Sequence, residues 1–366
     1  MEVSAALSQK MRNMSFICVC LVVELHLCNL PEIAGSGAWI FRVLANAVAS
    51  AAVPSFFCIS GFWLAQSLIT TNRGGDWWLE QVAKRAKTLL VPLLLGSFAY
   101  SAFLAVILTL GDLAYSRCET GVWACFFEYA RVHILCMDAY GVNPFQQPAL
   151  HPAWYLRTLF LYVAASPLFI IPLRRYGLKA LAAIFAAAIA LDCALPPYEY
   201  GTPLNQFWIY LISPQGIAFF ASGIYLAFHG TRPCGSLRFA CIAAAVAIPV
   251  ARLFCALHGI HIPSVFAVPM LAAVAAGVWF ATPSAKWPKW MTSATFGIYL
   301  LHLFWPSTMN SDAWLALMQR LVSGPARESL AIYLLNWAGA VAFALCATLL
   351  LRRFAPRTAA LLFGGR

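Results

Sequence analysis

Apolar runs long enough to cross a lipid bilayer recur ten times along the 366 residues, and that recurrence leaves few folds open. A hydrocarbon core of about 30 Å needs roughly 20 mostly apolar residues per helix. Such windows fall at approximately 14–30, 45–69, 88–110, 152–173, 178–195, 207–228, 238–257, 264–282, 292–310 and 329–351. Charged residues make up 10% of the chain and hydrophobic ones 62%, against about a quarter and a half in soluble domains. A soluble fold of this size has no interior large enough to hide the surplus. In lipid every backbone N–H and C=O must be satisfied within the spanning structure, and uninterrupted runs of this length do so as helices. The expectation is an all-α polytopic membrane protein of about ten transmembrane helices.

Basic residues orient it. With the N-terminus inside, 17 of the 24 Lys and Arg fall on inner segments, 5 on outer ones, and Arg157 and Arg252 within spans. Acidic residues show the reverse bias, 3 inside and 9 outside. The positive-inside rule then places both termini in the cytoplasm. It also accounts for most of the net charge of +11 with no nucleic-acid partner; the partner is the bilayer. Residues 1–366 read as a single membrane domain with no appended soluble domain. The first run resembles a signal peptide, but Glu24 and His26 interrupt its apolar core and further spans follow, so an uncleaved first span is expected. The 12 cysteines include no CxxC pair and no zinc-ligand spacing, so no metal is expected. Cys118, Cys125 and Cys136 share the long outer connection of residues 111–151, where an oxidising space would allow a disulfide. Residues 123–137 within it are amphipathic and aromatic and suit the membrane interface.

Ionisable residues inside spans are costly and mark functional candidates: Glu24, His26, Arg157, Arg252 and His302. Glu24 and His26 are two apart, about 200° around a helix, so they face different ways. Arg12 and His26 are fourteen apart, which returns to within about 40° of the same face some 21 Å along the axis. Ser15 lies on that stripe. A surface cation joined to a deep imidazole suits a ligand with an anionic head and a reactive tail, because imidazole serves as a general base near neutral pH. A helix-to-helix hydrogen bond from His26 and a plain anchoring role for Arg12 explain the same residues. Lys84, Arg85 and Lys87, beside Trp77 and Trp78, form a cluster able to clamp phosphates or to contact lipid headgroups. His302 follows Tyr299 by three and shares its face, as a structural hydrogen bond between helices would require.

Six segments in order resemble the bacterial acyltransferase-3 family of integral membrane acyltransferases. They are RNMSFICVCLVVELH (12–26), VPSFFCISGFWLA (53–65), KRAKTLLVP (84–92), HPAWYLRTLFLY (151–162), GIAFFASGIYLA (216–227) and FGIYLLHLFW (296–305). The resemblance runs through nearly the whole chain. It implies transfer of an acyl group, often acetyl, from a cytoplasmic donor such as acetyl-CoA to a hydroxyl of a cell-surface or lipid-linked carbohydrate. The protein would be a multi-pass protein of the bacterial inner membrane, with acyl-CoA as co-substrate, no bound cofactor, and a carbohydrate or glycolipid acceptor. His26 maps to the catalytic histidine, and Arg12, Ser15, Lys84, Arg85 and Lys87 to the donor-binding region. Two departures stand out. The family's Arg eleven residues before the His is here Ser15, with Arg12 one turn lower. Its RxxR pair is here Arg85 followed by Thr88, which leaves Lys87 as the substitute, a point charge in place of a fork.

On this reading Ser60, Gly61, Trp154, Arg157, Tyr299 and His302 line the site, with Ser60 and Gly61 as sources of oxyanion donors; Glu24, to which the resemblance does not extend, joins them as an ionisable residue within a span. The acceptor glycan and the oligomeric state stay open. A transporter or flippase for an anionic or lipid-linked substrate is the alternative, and would show inverted repeats and broken helices. A non-catalytic scaffold gives no reason for the Arg12–Ser15–His26 stripe.

Overall fold

The computed structural model describes residues 3–27, 36–71, 76–109, 137–138, 141–142, 151–194, 213–230, 235–305 and 330–365. These are helical apart from turns and one antiparallel pair, β1 (Met137–Asp138) with β2 (Gly141–Val142). The long outer connection otherwise lies outside the described residues, and with it Cys118, Cys125 and Cys136.

The first helix, α1, runs Ala5–Leu25, not from residue 14 as the apolar window suggests. Ser4 caps it by accepting a hydrogen bond from the Leu7 N–H at 3.2 Å, and the polar segment through Lys10 and Arg12 consists of good helix formers. Next come α2 (Gly37–Ala49) and α3 (Ala52–Thr71), nearly continuous across Ser50. The basic cluster, read from the sequence as part of a connection, is helical: α4 (Asp76–Arg85) carries Asp76 in its first turn and Lys84 and Arg85 in its last, the charge order that a helix dipole favours. A π-helical turn (Ala86–Leu90) joins it to α5 (Val91–Thr109).

A 3₁₀ turn (His151–Ala153) leads into α6 (Trp154–Ala164) and α7 (Ser166–Tyr176), which meet at 58°. Pro167, without an N–H, ends the first helical ladder and starts the second. Then follow α8 (Leu178–Ala194), α9 (Pro214–His229), α10 (Gly235–Leu257), α11 (Ala267–Ala281), the short α12 (Lys289–Ser293) and α13 (Thr295–Leu301), which tightens to 3₁₀ at His302–Phe304. The last helices are α14 (Leu330–Phe354) and α15 (Pro356–Leu362).

Among the described residues five helices are long and apolar enough to cross a membrane: Gly37–Thr71, Asp76–Phe103, Gly235–Leu257, Ser264–Ala281 and Leu330–Phe354. Counting the bent α6–α7 pair as one span makes six. The other four windows of the expected ten fall on α1, α8, α9 and α13, which are helical but shorter or more polar.

The core centres on α3 and α9. An added Cβ on Gly61 would run into the Phe220 carbonyl oxygen, and one on Gly223 into that of Cys58. The two backbones therefore touch, as small residues permit where lipid gives no hydrophobic drive between helices. At the other extreme, α10 exposes Leu237, Phe239, Val246, Val250, Phe254 and Leu257. In a chain that lives in hydrocarbon, this is a lipid-facing surface.

Candidate active site

His26 sits one residue past the end of α1, with φ −103° and ψ 7°. Its Nδ1 lies 2.7 Å from the Val22 carbonyl oxygen. A carbonyl has no proton to give, so Nδ1 donates and Nε2 keeps its lone pair. The imidazole centroid is 5.3 Å from that of His302. His302 is fully buried, and its Nδ1 donates in the same way to the Ile298 carbonyl at 3.1 Å. Its Nε2 has no hydrogen-bond partner among the described residues. The site therefore brings together two imidazoles whose remaining ring nitrogens both accept. Among the described residues the hydrogen bonding seen for His302 is to its own turn, and the contact it makes with another helix is the ring contact with His26.

From this pair a file of rings leads along the bundle. Tyr299 is 6.5 Å from His302, and Tyr155 is 6.0 Å from Tyr299. Tyr299 Oη donates to the Pro152 carbonyl, which ties α13 to the 3₁₀ turn that leads into α6. Tyr155 Oη and Ser60 Oγ are 3.1 Å apart. Arg85 stands close enough to Tyr155 to act on it electrostatically. Residues of α1, α3, α4, α6 and α13 thus converge on one internal track.

The structure divides the sequence-derived candidates. Of the basic cluster only Arg85 turns inward, while Lys84 and Lys87 are exposed. The π turn starts immediately after Arg85, a rearrangement common at functional sites. Arg12 is exposed, two turns into α1. Ser15 is half-buried and gives its hydroxyl to the Met11 carbonyl at 2.8 Å, so its proton is used within its own helix. Trp154 opens α6, packed against Phe57 with centroids 6.4 Å apart, and the half-buried Arg157 lies one turn on. Glu24 does not face the imidazoles: it is 2% exposed and accepts a hydrogen bond from Tyr333 Oη at 2.5 Å. Gly61 departs furthest from expectation. It lies inside α3, where N–H groups serve the helix ladder, and its bare face meets α9, so it supplies packing and not an oxyanion donor.

Reading the sequence missed Tyr155, Tyr333, Trp337 and Asn13. Asn13 is completely buried and donates to the Pro283 and Ala285 carbonyls at 2.9 and 2.8 Å, pinning the inner half of α1 to the segment before α12. An Asn beside two basic residues reads as surface, and only its periodicity with Cys20 and Glu24 hints otherwise. Tyrosines in an aromatic-rich chain carry no mark that separates a site residue from a packing one.

A family model described as an acyltransferase domain matches residues 12–353. No curated protein and no solved structure matches the chain.

Proposed function

We propose, for a chain that belongs to the acyltransferase-3 family and is a multi-pass membrane acyltransferase, that the donor is acyl-CoA and the acceptor a hydroxyl of a cell-surface or lipid-linked carbohydrate. Acetyl is the acyl group this reading favours, and the bacterial inner membrane the location, with both termini cytoplasmic. The observation that carries the reading is the pair of imidazoles where the end of α1 meets the end of α13, His26 with Nδ1 donating to the Val22 carbonyl and His302 beside it.

Donor phosphates bind from the cytoplasm near Arg85, with Arg12, Ser15, Lys84 and Lys87 at the mouth, where long cationic side chains draw in an anion. The thiol arm extends along the ring file past Tyr155 and Tyr299. His26 Nε2 takes the proton from the acceptor hydroxyl as its oxygen attacks the thioester carbonyl. The tetrahedral intermediate collapses, the C–S bond breaks, and the same proton returns to the departing thiolate. Products are an ester and free CoA, so atoms balance with no external reductant or oxidant. The Val22 carbonyl holds His26 in the tautomer that this requires, as a second group orients the base in other acyl-transfer sites. Ser60 and Tyr155 hydroxyls, not the α3 backbone, are the donors near the path. Trp154 and Arg157 border the acceptor side. The family membership does not favour the transporter reading.

The test is label transfer from radiolabelled acetyl-CoA to lipid-linked glycan by purified protein in liposomes. Label on the glycan supports the proposal. Label that stays on CoA with every acyl donor and glycan tried contradicts it.

A further inference from the structure

We infer that Glu24, Tyr333 and Trp337 form a brace that sets the position of the His26 imidazole; the inference rests on His26 being the base of the acyl transfer. The difficulty it answers is mechanical. His26 lies beyond the last residue of α1, where carbonyls lose their intrahelical partners and helices fray. A base held there is only as well placed as whatever grips the final turns.

Two grips come from one helix. Tyr333 Oη donates to Glu24 Oε1 at 2.5 Å, and Trp337 Nε1 donates to the Cys20 carbonyl at 2.8 Å. Cys20 and Glu24 are four apart on α1, and Tyr333 and Trp337 four apart on α14, so the bonds join successive turns of an antiparallel pair. Glu24 lies about 200° around the helix from His26, so the brace holds the back of α1 while the imidazole faces His302. The seat of Tyr333 is itself fixed by α2: Phe41 meets it edge-on with centroids 5.8 Å apart, and Arg42 stands within electrostatic reach of both Glu24 and Tyr333. Helix α14 also packs on α13 and on the 3₁₀ turn that carries His302. One helix therefore backs both imidazoles, and the brace sets the gap between them.

Packing alone does not account for Glu24. A carboxyl group buried in a span is costly, and an apolar residue would fill the place without that cost. What the carboxyl adds is a short directional bond to one point on α14. These three are positioning residues: none is placed against substrate.

The experiment compares wild type, His26→Ala, Glu24→Ala, Glu24→Gln, Tyr333→Phe and Trp337→Phe as full chains in liposomes. It follows acetyl-CoA KM, kcat of label transfer and thermal midpoint. Tyr333→Phe removes a single oxygen from a ring that stays packed. The expected result is a kcat lower by about 10–100-fold in Glu24→Ala and Tyr333→Phe, the scale of a misplacement near 1 Å. KM and midpoint stay close to wild type. Glu24→Gln, which keeps an acceptor for Tyr333, recovers most of the lost rate. Wild-type kcat in folded Tyr333→Phe and Glu24→Ala, beside an inactive His26→Ala, overturns the brace alone. A fall in midpoint that tracks the fall in kcat, with no rescue by Glu24→Gln, overturns it in favour of plain stability. Full transfer by His26→Ala removes the reading on which it rests.

Discussion

Replacing Gly223 by Ala should loosen the centre of the bundle, and the structure gives the size of the effect. The added Cβ would lie 2.7 Å from the Phe62 nitrogen and 2.8 Å from the Cys58 carbonyl carbon, and would overlap the Cys58 oxygen. All three are backbone atoms of α3, so no side chain can rotate out of the way and the two helices must part. Overpacking of this kind costs about 1–3 kcal/mol, and a backbone obstacle puts the cost near 3. Alanine recovers about 1 kcal/mol through its better helix propensity. The net loss of about 2 kcal/mol lowers the folded-to-unfolded ratio roughly 30-fold. Gly37→Ala is the control, since its Cβ meets nothing within 4 Å. Thermal stability in detergent, read by size-exclusion chromatography after heating, compares the two. A Gly223→Ala protein as stable as wild type would refute the close α3–α9 crossing. Adding Gly61→Ala to Gly223→Ala should cost less than the sum of the two, because one separation of the helices relieves both overlaps.

Three further outcomes are expected. Asn13→Ala strands two carbonyls next to α1 and should destabilise by about 1–3 kcal/mol in the same heating assay. Phe363, fully buried after α15, should cost about 3–5 kcal/mol when truncated to Ala, measured the same way. Arg85→Ala should raise the KM for acetyl-CoA while Lys84→Ala and Lys87→Ala change it little, because only Arg85 turns into the bundle; equal effects from all three would contradict the internal track.

Much of the architecture was legible because lipid imposes it. Apolar length located the helices α5, α10, α11 and α14 within three residues, and the end of α3 but not its start, because the window ran back into α2. It failed where polarity and helix coexist: α1 starts nine residues before its apolar run, and α4 is helical although it carries Asp76, Glu80, Lys84 and Arg85. Hydropathy measures transfer into lipid, not backbone conformation. At the site, rarity did the work. An imidazole in a span stands out, so His26 and His302 were both singled out, and the structure adds that they are neighbours. Glu24 stood out equally, but its direction follows from tertiary packing against α14 that spacing on α1 alone does not reveal. Ser60 and Gly61 were misread in part because a motif string does not show whether its N–H groups are free; in α3 they are not.

The most direct test of the account is acetyl transfer and acetyl-CoA binding measured side by side for wild type and His26→Ala in liposomes. With His26 as general base, the variant binds acetyl-CoA as wild type does and transfers label at a rate lower by about 10²–10⁴-fold. A variant that binds the donor normally and transfers label at the wild-type rate would show that the imidazole at the end of α1 is not the base.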